Sequence, residues 1–402
     1  MKKILFFVLV FAILGAGLFA DDAKVMPLRT GRLSLAPSFT FGQKAFNKDG
    51  VRRDSDALSV YNFGAALEYG INSWITGALQ WAPGVNFFSD IDMLVPSPDG
   101  GFSKSLAKVQ DVADLFLGAK IQILGTAAPV KTDNFRIAFA PGLKIPLRGP
   151  DYEKQYENAK KGDPVTVSNF DNHAFAAGLR SYFDFVITDN FFINLYNETI
   201  FYAQKREFKK AGYTEYAVSR GIDTINSGLS QMELMFPGAS AAQIKYGDNV
   251  KFGYDVTFEL EPTWSFPIAD GVLFSAFLPF RYKITPGKKY DKFTYNETAI
   301  NGTVADINTA LANSLVPPGY EQAAGALAQG LPALLDNVKK MEDSEGMTHY
   351  MSLEPSVALF FYQWKVPFEF EFGYKAPIWG KGNNNGKANH TLVIIAKMFF
   401  KI

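Results

Sequence analysis

No cysteine occurs among the 402 residues, which excludes disulfides, thiolate catalysis, thiolate metal sites and a lipid-modified N-terminal cysteine. Histidine is almost as scarce. His173, His349 and His390 are the only three, and none has the spacing of a helical His-x-x-x-His metal motif. Net charge is also missing: 40 Lys plus Arg balance 40 Asp plus Glu, so no global field attracts nucleic acid. No glycine-rich phosphate loop follows a strand and opens a helix. Beyond the first twenty residues, no apolar run reaches the roughly 18 residues that suggest a spanning helix. Ser344 and Ser352 near His349 invite a hydrolase reading, but no orienting acid or oxyanion donor goes with them. The expectation is a non-enzyme with no metal and no cofactor.

The chain does have an export layout. Lys2 and Lys3 precede an apolar run from Ile4 to Leu18, and Ala20 precedes Asp21 and Asp22. Residues 1–20 are expected to be a cleaved signal peptide and residues 21–402 the single mature domain.

Strict alternation dominates the mature domain. From Tyr254, apolar positions Val256, Phe258, Leu260, Pro262, Trp264 and Phe266 alternate with Asp255, Thr257, Glu259, Glu261, Thr263 and Ser265. After Asp270-Gly271 the pattern resumes through Ile284, with Arg281 and Lys283 on the polar face. Period two means strand. These strands exceed the usual ~5–6 residues and match the ~9–11 tilted residues that cross a bilayer. An apolar aromatic face opposite a charged face fits a wall between lipid and a polar lumen.

Similar segments start near Arg32, Ser59, Trp74, Asp114, Phe135, Phe175, Phe191, Tyr350, Val366 and Thr391. Short and long connections alternate along the chain. This predicts an all-β fold, a transmembrane antiparallel barrel of about twelve strands with short periplasmic turns and long extracellular loops containing some helix. Fourteen strands is the alternative, if two more lie in Ala203 to Val250. Trp74, Trp264 and Trp364 beside turns, and Trp81 and Trp379 before longer loops, suggest two interfacial girdles. The final alternating strand through Phe400 resembles a barrel-assembly signal, so outer-membrane lipid and the assembly machinery of a diderm bacterium are expected partners.

The run Asp114-Leu115-Phe116-Leu117-Gly118-Ala119-Lys120, followed by Ala138 to Pro146 with Gly142-Leu143-Lys144, resembles outer-membrane proteins of the FadL-like and phenol-pathway transporter group. The resemblance implies passive uptake of small hydrophobic molecules. The N-terminal hatch of the fatty-acid transporters has no counterpart, because only about ten residues separate Asp21 from the first strand. A general or charge-selective porin and a structural or adhesive surface barrel are the rival readings.

The inward faces carry Glu68, Lys120, Arg136, Lys144, Arg180, Asp184, Glu198, Glu259, Glu261, Arg281, Lys283, Glu354, Glu369 and Glu371. These line the expected lumen, either as a transverse field or as cross-strand pairs, with Glu259 and Glu261 expected to meet Arg281 and Lys283. Two connections are unusually apolar. Ala82 to Leu106 holds Phe87, Phe88, Met93 and Leu94, and Val304 to Val338 holds Leu311, Leu315, Leu327, Leu331 and Leu335 at helical steps, broken by Pro317-Pro318-Gly319. They are expected to form a capture surface or lid for apolar ligand, or loops that pack only on one another.

Overall fold

The computed structural model describes residues 22–96, 102–108, 111–147, 149, 151–161, 173–203, 205–343, 346–382 and 386–401. The expected signal peptide, residues 1–20, lies outside them. Twelve strands form the wall: β1 (Thr30–Phe46), β2 (Arg52–Gly70), β3 (Ile75–Pro96), β4 (Leu115–Leu124), β5 (Phe135–Ile145) and β6 (Ala176–Thr188). They continue with β7 (Phe191–Tyr202), β8 (Tyr254–Ala269), β9 (Val272–Phe277 and Phe280–Pro286), β10 (Met347–Leu353 and Ser356–Phe361), β11 (Phe368–Lys381) and β12 (His390–Lys401). Each pairs antiparallel with its neighbours in sequence, and β12 returns to β1 through Thr30↔Lys401, Leu35↔Ala396 and Phe41↔His390. The barrel is closed, so the wall has no free edge.

Alternation decides which side chains face lipid. Leu35, Leu67, Leu117, Leu143, Phe258, Leu260 and Phe370 are exposed on the outer wall, while Ser34, Glu68, Lys120, Glu259 and Lys397 on the opposite parity are buried. Outward apolar side chains and inward polar ones are what a lipid-embedded barrel requires, and among the described residues no helix is long and apolar enough to cross a membrane. One end holds the short turns at 71–74, 189–190 and 270–271 together with the start of β1 and the end of β12. The other end holds the long connections.

Proline interrupts the ladder along three adjacent strands. Pro262, Pro279 and Pro355 have no N–H to donate, and each carbonyl instead accepts from the next strand: Leu278 N to Pro262 O at 3.1 Å, Glu354 N to Pro279 O at 2.9 Å, and Tyr374 N to Pro355 O at 2.9 Å. These interruptions split β9 and β10 in two and place Glu354 at a break in the wall.

Two expectations change here. The segment from Ala82 is not a loop, because β3 runs on to Pro96 and pairs with a further strand, Phe102–Lys108, from Asp90↔Lys108 to Pro96↔Phe102. Backbone ladder pairing carries β3 through Pro83-Gly84, where a loop was expected to begin. Nor do two more barrel strands lie between Ala203 and Val250. That stretch contains the helix Tyr213–Met232 and the short strands Lys205–Glu207 and Asn249–Lys251, which join Lys289–Tyr290 in a small separate sheet.

The long connections build a helical cap from α1 (Tyr152–Lys160), α2 (Tyr213–Met232), α3 (Glu297–Ala312) and α4 (Glu321–Asp343). Asn296 caps α3, its side chain accepting from Ala299 N, and Pro317-Pro318-Gly319 separates α3 from α4 as expected. Ile222, Leu229 and Met232 of α2, Ile300 and Ile307 of α3, and Leu327, Leu331, Leu334 and Val338 of α4 belong to one buried apolar core.

Candidate functional site

The lumen is organised by register. Arg32 stands directly opposite Glu68, Arg136 opposite Asp184, Arg180 opposite Glu198, Arg281 opposite Glu259 and Lys397 opposite Glu369. Each pair closes: Arg32–Glu68 at 2.5 Å, Arg136–Asp184 at 2.7 Å, Arg180–Glu198 at 2.6 Å, Arg281 Nε–Glu259 at 2.6 Å and Lys397–Glu369 at 2.7 Å. Opposite charges directly across a strand pair stabilise the sheet. Of the two expected roles for these charges, cross-strand pairing is the one the geometry carries.

Further contacts link the pairs around the wall. Glu354 receives Arg281 Nη1 at 3.2 Å, Lys375 Nζ at 2.8 Å and Ser352 Oγ at 2.7 Å, while Lys397 also reaches Glu371 at 2.9 Å. The expected partner of Lys283 is wrong. Its Nζ lies 3.5 Å from Asp255 on β8, and Glu261 instead accepts from Thr263 Oγ1 at 3.1 Å. The register explains this, because Lys283 is opposite Thr257 and the two rungs to Glu261 lead away from it. Lys144 sits by Asp114 at 3.8 Å and Tyr202 Oη at 3.4 Å, and Asp114 in turn lies 3.3 Å from His173 Nδ1.

Burial shows that the middle of the barrel is filled. Glu261, Glu354, Glu371, Asp184 and Asn194 are each at most 3 % exposed, whereas side chains lining a wide aqueous bore would be wet. Part of the filling comes from the residues before β1. Ala23 is fully buried among Ala138, Ala140 and Tyr182, and its N–H donates to both oxygens of Asp184 at 3.1 and 3.2 Å. Lys120 Nζ donates to Asp22 O at 2.8 Å and Lys24 O at 3.3 Å, and Met26 N donates to Thr76 Oγ1 at 2.7 Å. Residues 22–26 thus occupy the lumen directly. Between this segment and the wall is a cavity of about 400 Å³. Val25, Met26, Phe360 and Phe399 line it together with Arg32, Glu68 and Lys120.

The motif around Phe116 has a packing role. Gly118, Gly142 and Gly178 are register partners across β4, β5 and β6. A Cβ at Gly142 would meet Phe116 Cζ at 2.2 Å, so glycine is what admits the ring against the wall. The Arg180 guanidinium covers that ring at 4.2 Å, a cation–π contact that helps aim Arg180 at Glu198.

The lid residues divide. Leu327, Leu331 and Leu335 are buried in the cap's own core, Leu311 packs against it half-buried, and Leu315 is exposed. Their stripe is covered by α2 and α3 and is not open to a ligand. The side chains of Phe87, Phe88, Met93 and Leu94 lie outside the described residues. Arg32 was missed although it continues the inward parity of Ser34 and Ala36. Asp22 to Pro27 carries no periodic signal, and nothing in its sequence marks it as a lumen segment.

No protein family is matched by the sequence, and no curated protein resembles it. Solved structures do. An outer membrane channel from Pseudomonas putida F1 superposes with a TM-score of 0.51 at 10% identity, over 96% of this chain and 100% of that one. A Pseudomonas aeruginosa FadL homologue gives 0.32 at 11% identity over 97% and 96%, and the CymD monoaromatic hydrocarbon channel 0.34 at 8% over 94% and 89%. These two superpose too loosely to carry an argument. The first, at so low an identity, speaks for the fold, and that fold agrees with the resemblance read between Asp114 and Pro146: this chain is a barrel built like an outer membrane channel.

Proposed function

We propose that this protein is an outer-membrane channel for the passive uptake of small apolar molecules, fatty-acid-like or aromatic. The observation that carries the reading is the cavity beside the N-terminal segment. An apolar body fits against Val25, Met26, Phe360 and Phe399, and a single polar group fits Arg32 or Lys120. The buried, paired charges of the mid-lumen argue against a general porin, which needs a wet constriction. Export through the signal peptide of residues 1–20, assembly of residues 21–402 through the C-terminal strand, and placement in the outer membrane of a diderm bacterium are parts of the same proposal.

Single-channel recording in planar bilayers tests it, paired with fluorescence-quenching titration by a medium-chain fatty acid. The expected result is small ion conductance with saturable fatty-acid binding. Deleting residues 22–27 should raise conductance severalfold while the barrel still shows heat-dependent gel migration. Large steady currents from the intact chain without fatty-acid binding would establish the porin instead.

A further inference from the structure

The small sheet above the barrel wall contains an unusual row. Lys205 is the register partner of Lys251, and Lys251 is the register partner of Lys289. Three ammonium groups therefore stand side by side on three strands, about 5 Å apart at the backbone. All three are exposed. The opposite face of the same sheet is covered: Val250 is buried in the cap core and Tyr290 packs against it. Like charges directly opposite one another destabilise a sheet, and among the described residues none of the three forms an ion pair. Two acids stand one rung along on this face, Glu207 and Asp291, and Glu207 is engaged by Lys210 at 2.8 Å. Asp291, at the neighbouring rung, accepts from Asn249 N and Nδ2 at 3.1 Å.

The height of the row identifies what would neutralise it. β7 ends at Tyr202, β8 begins at Tyr254 and β9 ends at Pro286, so each lysine lies three residues past its own barrel strand. At ~3.3 Å per residue this is about 10 Å. Just below, the register partners Phe201 and Tyr254 are exposed on the outer wall, as an aromatic border with lipid would be. The hydrocarbon is ~30 Å thick and the whole bilayer ~40–45 Å, so the headgroup layer is roughly 5–8 Å deep on each side. Lysine stems bend back toward an interface while their ammonium groups stay in the polar layer. We propose that Lys205, Lys251 and Lys289 form a binding site for the phosphate of a net-anionic phosphorylated lipid headgroup in the leaflet surrounding the loop end of the barrel.

Native mass spectrometry of the full-length protein in detergent, titrated with diphosphoryl lipid A, tests the site. Phosphatidylcholine and inorganic phosphate serve as comparison probes. Wild type should retain lipid A at least tenfold better than the variant K205Q/K251Q/K289Q, and the Lys→Arg triple variant should retain it as wild type does. Salt should weaken retention, because exposed charges are screened within ~8–10 Å. If the triple Gln variant lacks heat-dependent gel migration, K251Q alone decides, with a loss of about threefold expected. Equal retention by the Gln variant that folds would overturn the site. Equal binding of phosphatidylcholine, whose phosphodiester is balanced by its own choline, would overturn the assignment to an anionic phosphorylated headgroup, and equal binding of inorganic phosphate without the lipid would overturn the assignment to a lipid.

Discussion

The barrel and its cap solve opposite problems with the same chain. In the barrel the apolar side chains point outward, Leu117, Phe258 and Phe370 among them, and the interior is built from carboxylates, lysines and arginines. In the cap the order is reversed: Ile222, Leu229, Ile300, Ile307 and Leu331 are inside and nearly solvent-free. The solvent outside each region explains the inversion. Lipid provides no hydrophobic drive for barrel closure, so internal specificity comes from hydrogen-bonded strands and ion pairs in register. The cap is held together by burying apolar area, as folds in water are.

The contrast breaks most sharply at Arg281. Glu259 and Glu354 are 6 % and 1 % exposed, and both depend on this guanidinium. Removing one partner of a buried ion pair typically costs about 3–5 kcal/mol, because the other charge is left uncompensated. Arg281→Gln should destabilise the barrel by about that much in guanidinium unfolding from detergent. Adding Glu259→Gln should restore most of the loss, since a neutral pair leaves no stranded charge. Equal stability of Arg281→Gln and wild type would mean that the lumen carboxylates are hydrated and that the interior is not filled.

Leu331 probes the cap. It is fully buried where α4 meets the cap core, and Leu→Ala substitutions in such positions cost about 2–5 kcal/mol. Leu331→Ala should make the connections between β7 and β8 and between β9 and β10 sensitive to limited proteolysis, while the heat-dependent gel shift of the barrel stays unchanged. A matching loss of barrel stability would show that cap and barrel fold as one cooperative unit.

These two regions were also unequally legible in the sequence. Period-two alternation showed the outer wall, the twelve strands and the inward charges, because strand geometry ties parity directly to a face. It put Glu259 and Glu261 on the strand beside Arg281 and Lys283. It did not decide between Lys283 and Thr263 as the neighbour of Glu261, because that depends on register and not on parity. Leu327, Leu331 and Leu335 announced a stripe that needs a cover, but a stripe does not say what covers it; here α2 and α3 do. The strand from Asp90 to Val95 alternates Asp90 and Asp92 with Ile91, Met93 and Val95, a signal that a short loop-like setting between Pro83-Gly84 and Pro96 obscured. Asp22 to Pro27 had no signal at all, since an extended segment held by Asp184, Lys120 and Thr76 takes its conformation wholly from its partners.

The smallest expected effect lies in acid, and it again separates cap from barrel. Glu215 on α2 is buried. Burial alone would raise its pKa, but Lys288 Nζ at 2.8 Å and Tyr290 Oη at 2.9 Å outweigh it, and the carboxyl is held below its ordinary value. A carboxylate with a depressed folded-state pKa contributes stability above its unfolded pKa and loses it as pH falls through the folded one. Each unit of displacement corresponds to about 1.4 kcal/mol, less than the cost of either substitution above. Protease resistance of the cap should therefore hold near neutrality and decline once pH drops below the ordinary carboxylate range, before the barrel itself unfolds. Glu215→Gln should lower cap resistance at neutral pH and flatten that decline, because the Lys288 contact would no longer titrate. A decline of the same steepness in Glu215→Gln would transfer the acid sensitivity of the cap from Glu215 to another group.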